Sequence, residues 1–210
     1  MNAKGFLLRA VFLAMLVLPA VSTRSQTVVT FDDLHETTSE SVIPNGYQGL
    51  VWSNFWCLNG ILYPARYPFF VTNGYYYGTV SPSNVAFNAG GTPAEIDSPG
   101  TNFDFLSAYL TGAWNSNLNI EVQGFRSGTL LYDTTVVASA TSPTLFSFDY
   151  LDIDRLYFSN SGGQPAFGTP SGPQFAMDNF TFEFVPEPST IMLAALGVLT
   201  LWPFLKRRRV

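Results

Sequence analysis

Apolar and polar residues alternate along much of the middle of the chain, which predicts β-strands that bury one face. The clearest case is LNIEVQGF, where Leu118, Ile120 and Val122 alternate with polar side chains. The tripeptide RSG separates this segment from TLLYDTTVV, and Gly128 is able to take the positive φ of a three-residue hairpin loop. The two segments therefore predict a β-hairpin that is closed at 126–128.

Glycine, proline, asparagine and serine interrupt the same region about every eight to twelve residues, and β-branched and aromatic residues fill the intervals. No segment keeps a helical period, and no repeat is present. A long loop, SNSGGQPAFGTPSGP, is expected before the last strand. The pattern predicts an all-β fold, a two-sheet antiparallel β-sandwich of the jelly-roll type. Its other strands are predicted at Val28–Phe31, Leu50–Phe55, Asn84–Asn88, Phe103–Thr111, Thr144–Phe148, Leu156–Ser159 and Phe175–Phe184.

Residues 1–25 have the pattern of a secretory signal peptide. Lys4 and Arg9 precede an apolar run at 10–21, which is shorter than a bilayer span. Small residues then allow cleavage after Ser22 or after Ser25. A signal anchor that stays in place is the alternative, but the polar stretch TRSQT favours cleavage. We therefore expect an exported domain that follows at 26–184.

The chain ends in a second apolar run at 191–205, followed by the basic residues Lys206, Arg207, Arg208 and Arg209. As a helix, about fifteen residues extend over about 22 Å, against about 30 Å for the hydrocarbon core of a bilayer. Basic residues behind a membrane segment stay on the cytoplasmic side. The sequence thus predicts a short transmembrane helix that holds the domain outside the inner membrane.

Three features at this end of the chain resemble, in their order, the PEP-CTERM sorting signal of Gram-negative bacteria. The first is a tetrapeptide of Val185, Pro186, Glu187 and Pro188. The apolar helix with Gly197 follows, and then the basic tail at 206–210. The resemblance covers 185–210 and implies an exosortase, a membrane cysteine protease that cuts near the PEP motif, as a processing partner. It implies a transient membrane anchor and a final location at the cell surface or outside the cell, while a plain anchor is the alternative.

Charge is distributed unevenly along the chain. The tail is basic, whereas the stretch 26–184 has no lysine, three arginines and fourteen acidic residues, a net charge of about −11. This charge argues against a nucleic-acid partner, because phosphate binding needs a basic surface. The single cysteine, Cys57, has apolar neighbours and is expected to be buried, and it allows no intramolecular disulfide. Serine–histidine–aspartate chemistry would have to use the single histidine, His35, and the sequence has no nucleophile-elbow motif. We therefore predict that the chain is not an enzyme.

Two acidic motifs lie near opposite ends of the domain: TFDDL holds Asp32 and Asp33, and FAMDNFTF holds Asp178 and Asn179. If the first and last strands are neighbours, these side chains offer the oxygen ligands that calcium takes. Alternation along a strand allows only one of Asp32 and Asp33 to face such a site. The arrangement resembles jelly-roll, galactose-binding-like modules, in which the terminal strands pair near a structural calcium ion. One structural calcium is therefore expected, with turn capping as the alternative role of these acids.

The domain is also similar to uncharacterised domains of other PEP-CTERM proteins. The similarity lies in the stretches FDDL, NGYQGLVWSNF, GTLLY and QFAMDNFTF. It supports the domain boundaries and implies no known activity.

Aromatic residues are concentrated at 47–77, and AYLTGAWNSN adds another. Ring faces with amide and hydroxyl groups beside them suit sugar rings. Most of these rings are needed for the core of a sandwich, but the tyrosines of GYYYG cannot all face one core if that segment is extended. A protein-contact surface is the alternative use. The candidate ligand-binding residues are Trp56, Tyr75, Tyr76, Tyr77 and Trp114.

A further acidic segment, FDYLDIDRLYF, holds Asp149, Asp152 and Asp154. It lacks the glycine and the terminal glutamate of an EF-hand loop, so a turn before the next strand is predicted, with Arg155 paired locally.

These patterns together predict an exported, non-catalytic protein of the cell surface or the extracellular matrix, with exopolysaccharide as the expected ligand. An adhesive module that contacts envelope proteins without a glycan is the alternative. A glycoside hydrolase is the least favoured, since it needs two carboxylates at a set separation in a cleft.

Overall fold

The structure is a computed structural model, and it describes residues 25–34, 40–66, 72–168 and 172–186. Arg24–Val185 form one compact unit. Most of the predicted signal peptide, His35, the apolar helix at 191–205 and the basic tail lie outside the described residues. Among the described residues, no helix is long and apolar enough to cross a membrane.

Long β-strands account for most of the described chain, and two short α-helices interrupt them. The strands are β1 (Gln26–Val29), β2 (Ser41–Val42), β3 (Val51–Ser53), β4 (Phe55–Asn59), β5 (Asn84–Asn88), β6 (Ala94–Asp97), β7 (Phe103–Gly112), β8 (Asn115–Arg126), β9 (Thr129–Ala138), β10 (Thr144–Ile153), β11 (Arg155–Pro165) and β12 (Phe175–Phe184). The helices are α1 (Tyr63–Arg66) and α2 (Gly74–Gly78), and single 3₁₀ turns lie at Tyr47–Gly49 and Ala89–Gly91.

The strands form two antiparallel sheets. The seven-stranded sheet has the order β10-β7-β12-β5-β4-β2, with β1 also paired to β12, and the five-stranded sheet has the order β3-β6-β11-β8-β9. The predicted hairpin is β8 and β9, which pair up to the turn at 127–128. The prediction of a two-sheet antiparallel β-sandwich is confirmed.

The main core lies between the sheets and is rich in phenylalanine. Phe55, Phe158 and Phe175 are fully buried there, and Phe55 meets Phe158 edge to face with 5.5 Å between ring centroids. Burial of each such ring contributes about 1.5–3 kcal/mol, so these aromatic residues provide much of the stability. Cys57 also lies in this core and is fully buried, as expected.

A second apolar layer covers the outer face of the seven-stranded sheet. Alternation along β5 divides its side chains, because Ala86 faces the main core while Val85 and Phe87 face outward. The helices α1 and α2, which follow β4 in the chain, carry Tyr63 and Tyr75 onto this face. We call this layer the outer cluster, and its members are Leu58, Tyr63, Tyr75, Val85, Phe87, Ala113, Trp114 and Ala176.

Three sequence predictions of local structure are corrected by the structure. The strand predicted at Leu50–Phe55 is divided between the two sheets, because Asn54 takes a φ of +57° between β3 and β4. The turn predicted at FDYLDIDRLYF is confined to Asp154, because β10 continues to Ile153 and β11 begins at Arg155, with Asp149 and Asp152 at positive φ where the ladder with β7 shifts register. The loop predicted at 159–173 begins later, because β11 pairs with β8 as far as Pro165.

The segment GYYYG is helical and not extended. Asn73 precedes α2 and accepts a hydrogen bond at its side-chain oxygen from the backbone N–H of Tyr76, 3.1 Å away. This N-cap fixes the start of the helix. The helix buries Tyr75, while Tyr76 stays 40% exposed, so the expectation of at least one exposed tyrosine is met by helical geometry.

Candidate functional site

The acidic motifs predicted as a cation site lie where the first and last strands meet. β12 pairs with β5 through Ala176 and Met177, and then with β1 from Phe180 onward. Asn179, with a φ of +49°, forms an irregularity between these two partners. Asp178 precedes it and is fully buried.

The carboxylate of Asp178 holds the loop before β5 against β12. Its Oδ2 accepts hydrogen bonds from the backbone N–H of Val80 at 2.7 Å and of Ser81 at 2.9 Å. Its Oδ1 accepts from the Ser81 hydroxyl at 3.0 Å and from the backbone N–H of Asn179 at 2.7 Å. Burial raises the pKa of Asp178 to about 6, and these hydrogen bonds oppose that rise. The residue is thus an anchor between the loop and the strand.

Asp32 and Asp33 make separate contacts just after β1. Asp32 Oδ1 accepts the backbone N–H of Asn84 at 2.9 Å, and the Asn84 amide donates in turn to two carbonyl groups at 31–34. Asp33 Oδ1 accepts the hydroxyl of Tyr47 at 2.5 Å. Burial, and after it this hydrogen bond, raises the pKa of Tyr47. The two neighbouring acids therefore anchor different parts of the fold.

These contacts bear on the calcium ion that the sequence predicts. The terminal strands are neighbours, as that prediction requires. However, N–H and O–H donors face both oxygens of Asp178, and the described residues include no group of three acidic, histidine or cysteine side chains suited to a metal ion. One buried oxygen, Oδ1 of Asn179, has no hydrogen-bond partner within the described chain. Asp178 fits a hydrogen-bonded anchor better than a calcium shell, and the ion stays a prediction of the sequence.

A pocket of about 450 Å³ lies on the outer face of the seven-stranded sheet, beside the outer cluster. Its wall is mostly aromatic, because β4 provides Trp56, β5 provides Phe87 and α2 provides Tyr75. We call it the aromatic pocket. Its described lining residues are Glu40, Trp56, Tyr63, Tyr75, Phe87, Ala89, Gly90, Trp114 and Gln174.

The rings of the aromatic pocket support one another. Tyr75 meets Tyr63, Phe87 and Trp114 edge to face, with centroid distances of 5.2, 5.3 and 5.6 Å. Burial raises the pKa of Tyr75 well above its ordinary value, so this tyrosine stays neutral. Trp56 is only partly buried and offers its ring to the pocket. The wall is therefore preorganised for a flat, apolar ligand face.

Two polar side chains complete the described lining. The Tyr63 hydroxyl donates to Glu40 Oε1 over 3.1 Å. Gln174 lies just before β12, and its buried Oε1 has no hydrogen-bond partner among the described residues. The aromatic pocket therefore places one partly exposed carboxylate, that of Glu40, next to aromatic rings.

The five residues predicted to bind a ligand fall into two groups. Trp56, Tyr75 and Trp114 line the aromatic pocket together. Tyr76 and Tyr77 are not among its described lining residues: Tyr76 is partly exposed, and Tyr77 stacks on Phe167 at 6.2 Å between ring centroids. The helical turn of α2 explains this separation, because it directs adjacent side chains about 100° apart.

Sequence reasoning missed six of the described lining residues: Glu40, Tyr63, Phe87, Ala89, Gly90 and Gln174. Phe87 alternates with Ala86 along β5, which marks it as facing away from the core once one face is assigned. No local pattern marks Glu40 or Gln174. Glu40 precedes β2 and Gln174 precedes β12. They reach the aromatic pocket because β12, β5, β4 and β2 are successive strands of the seven-stranded sheet.

A smaller cavity of about 350 Å³ lies beside the five-stranded sheet, and two acids, Asp97 and Asp154, line it. Asp154 Oδ2 accepts the backbone N–H of Ser127 at 2.6 Å and so holds the β8–β9 turn. Burial raises the pKa of Asp97. Arg155, which was expected to pair locally, lies over the ring of Phe125 at 4.2 Å. The hydrogen bond to Ser127 gives Asp154 a structural role.

Comparisons with solved structures found distant likenesses. One is to a crystal structure of a DUF4465 family protein from Bacteroides ovatus, with a TM-score of 0.43 and 11% identity, over 79% of this chain and 96% of that chain. Another is to CBM51 from Clostridium perfringens GH95 in complex with methyl-galactose, with a TM-score of 0.32 and 12% identity, over 74% and 99% of the two chains. At such TM-scores neither likeness carries an argument about function.

No curated protein matches the sequence significantly. Residues 184–209, by contrast, match the PEP-CTERM protein-sorting motif. The resemblance that the tetrapeptide, apolar helix and basic tail predict is confirmed. The chain therefore carries a C-terminal PEP-CTERM sorting signal.

Proposed function

We propose that this chain is a non-catalytic protein of the cell surface or the extracellular matrix, and that its β-sandwich binds exopolysaccharide in the aromatic pocket. The observation that carries the proposal is the convergence of Trp56, Tyr75 and Trp114 on one cavity, together with Glu40 and Gln174. Sugar rings present apolar C–H faces that pack on aromatic rings, and their hydroxyls donate hydrogen bonds to side-chain oxygens. The pocket supplies both kinds of contact.

The sorting signal supports the location of this activity. A PEP-CTERM motif indicates export and handling by exosortase-type machinery. The exported domain would then meet polysaccharide outside the inner membrane. Retention at the cell surface and release into the matrix are both compatible with this route.

Binding without cleavage is part of the proposal. Glu40 is the one carboxylate among the described lining residues of the aromatic pocket. Glycoside hydrolysis ordinarily uses a pair of carboxyl groups. We expect no release of reducing sugar when the full-length protein, purified in mild detergent, is incubated with polysaccharide from the producing cells; release that Glu40→Gln abolishes would reverse this part of the proposal.

Affinity measurements with two aromatic variants test the proposed site. Trp56 is partly buried and borders the pocket, so Trp56→Ala removes a sugar-facing ring and should weaken polysaccharide binding by about tenfold or more. Tyr76→Ala is the matched control, because Tyr76 is an exposed ring outside the described lining. Equal binding by the wild type and the Trp56 variant would contradict the proposed contact. Retention of no polysaccharide by the wild type would contradict the function itself.

A second candidate function, an adhesive module without a glycan ligand, is favoured by exposed apolar side chains on two edge strands. Leu131 and Val137 on β9 are 46% and 55% exposed, and Leu145 on β10 is 50% exposed. Such edges suit pairing with another chain. Saturable self-association in sedimentation, abolished by Leu131→Asp and accompanied by no glycan retention, would favour this alternative.

A further inference from the structure

Glu40 is the only formally charged group among the described lining residues of the aromatic pocket. The hydroxyl of Tyr63 is directed at Glu40, and the buried Oε1 of Gln174 has no partner within the described chain. A ligand group that donates hydrogen bonds and carries a positive charge complements the Glu40 carboxylate, whereas an anionic ligand is repelled by it.

The rings favour positive charge for a separate reason. An aromatic face carries the negative part of the ring quadrupole, and it attracts an ammonium group within about 6 Å of the ring centroid. Trp56, Tyr75 and Trp114 line one cavity, and Trp56, which is only partly buried, offers the most accessible ring of the three. Tyr75 meets Trp114 edge to face behind this ring, so the wall of the pocket is closely packed.

The net negative charge of the surrounding domain also favours a cationic ligand. Residues 26–184 carry about eleven more acidic than basic residues. Of the arginines whose side chains are described, Arg126 is paired with Asp152 and Arg155 lies over Phe125. Neither lines the aromatic pocket. The field of the domain therefore attracts cations and repels acidic sugars.

We propose that the aromatic pocket binds a cationic ammonium group, carried by an amino sugar with a free amine. The proposal rests on the glycan-binding function above and names the sugar class that the site selects. The carboxylate of Glu40 balances the ammonium charge, and Trp56 packs against the sugar ring. Uronic acids and sulfated sugars are disfavoured, because their charge opposes that of Glu40.

Calorimetric titration of the full-length protein in mild detergent tests this selectivity. The probes are a β-linked glucosamine oligomer with free amines, its N-acetylated counterpart, a glucuronate oligomer and choline. The free-amine oligomer should bind about tenfold more tightly than the acetylated one. Glu40→Gln keeps an oxygen for the Tyr63 hydroxyl but removes the charge, and it should abolish the difference. Asp133→Asn is the control, since it removes an exposed carboxylate on β9.

Each possible result of the titration supports or overturns the inference. A free-amine preference that Glu40→Gln removes and Asp133→Asn keeps supports the inference. Equal or tighter binding of the acetylated oligomer, still weakened by Trp56→Ala, overturns the inference and leaves glycan binding in place. Choline binding as tight as that of the amino sugar overturns the assignment to a sugar amine. Binding of none of the four probes also overturns the inference, and the proposed function is then judged by polysaccharide from the producing cells.

Discussion

Four hydrogen-bond donors surround the carboxylate of Asp178, three of them backbone N–H groups. Replacing Asp178 by alanine leaves these donors buried and unpaired, and we expect a loss of roughly 3 kcal/mol in the free energy of unfolding. Asp33→Ala is the control, because Asp33 is exposed and its described hydrogen bond is to Tyr47 alone. Urea denaturation would measure both variants. A loss for Asp178→Ala no larger than for Asp33→Ala would show that the anchor is unimportant.

The same residue predicts a pH dependence of stability. The pKa of Asp178 is raised to about 6 in the folded protein, against about 3.9 for an unfolded chain, so the folded state binds the proton more tightly. Its contribution therefore favours folding below about pH 4 and is lost as the pH rises through about 6, a change of about 2–3 kcal/mol. As the pH rises from about 4 to about 6, the free energy of unfolding of the wild type should therefore fall relative to that of Asp178→Asn. A difference that is constant with pH would contradict the raised pKa.

The sequence suggested Asp178 and Asn179 as calcium ligands, and the structure does not test that role. Buried carboxylates near strand ends serve both as cation ligands and as acceptors for loop N–H groups, and residue type cannot separate these roles. The pairing of β1 with β12, which the metal prediction required, is present. What the sequence lacked was the position of Val80 and Ser81, nearly a hundred residues away, whose N–H groups reach the carboxylate.

At the scale of elements, α2 shows how tertiary contact overrides local pattern. Its sequence GYYYG is poor in helix formers, yet it is helical because Asn73 caps it and because it packs on β7 and β12. Gly74 makes this packing possible. A Cβ at this position would lie 1.8 Å from the carbonyl oxygen of Gly112, so the helix approaches the sheet as only glycine allows.

Substitution of the two glycines of α2 tests this account. Alanine normally stabilises a helix relative to glycine by about 1 kcal/mol. At Gly74 the clash with backbone should reverse the sign, and we expect Gly74→Ala to lower the free energy of unfolding by about 2–3 kcal/mol. Gly78→Ala is the control, because its nearest neighbours would be side-chain atoms at 3.1–3.2 Å and its loss should be smaller. Thermal melting of both variants would decide it, and equal melting temperatures would contradict the close approach.

The aromatic pocket shows which part of a site a sequence can predict. Trp56 and Trp114 stand out by residue type, and the structure places both in the same cavity. Glu40 and Gln174 do not stand out, since single polar residues near strand ends are common. Their role depends on the order of strands in the sheet, which alternation does not encode.

At the scale of the whole molecule, alternation was sufficient for the architecture because each strand buries one face against the other sheet. It was insufficient for strand ends. Asn54 divides one apolar run between two sheets by a single residue of positive φ, and Asp149 and Asp152 let β10 continue through an acidic segment. Asparagine and aspartate tolerate this conformation, so the residues that suggested turns are irregularities within longer structure.

The sorting signal makes a prediction about the whole chain. Its motif matches 184–209, whereas the compact β-unit is Arg24–Val185, so all but the first two residues of the motif lie outside the folded unit. Replacing Pro186, Glu187 and Pro188 together by alanine should therefore block removal of the C-terminus and leave the chain in the membrane fraction, with the melting temperature of the β-sandwich unchanged. Alanine at Ser189 and Thr190 is the matched control and should be processed normally. Mass spectrometry of the C-terminus and cell fractionation would measure both, and efficient processing of the first variant would show that the tetrapeptide is not what the protease recognises.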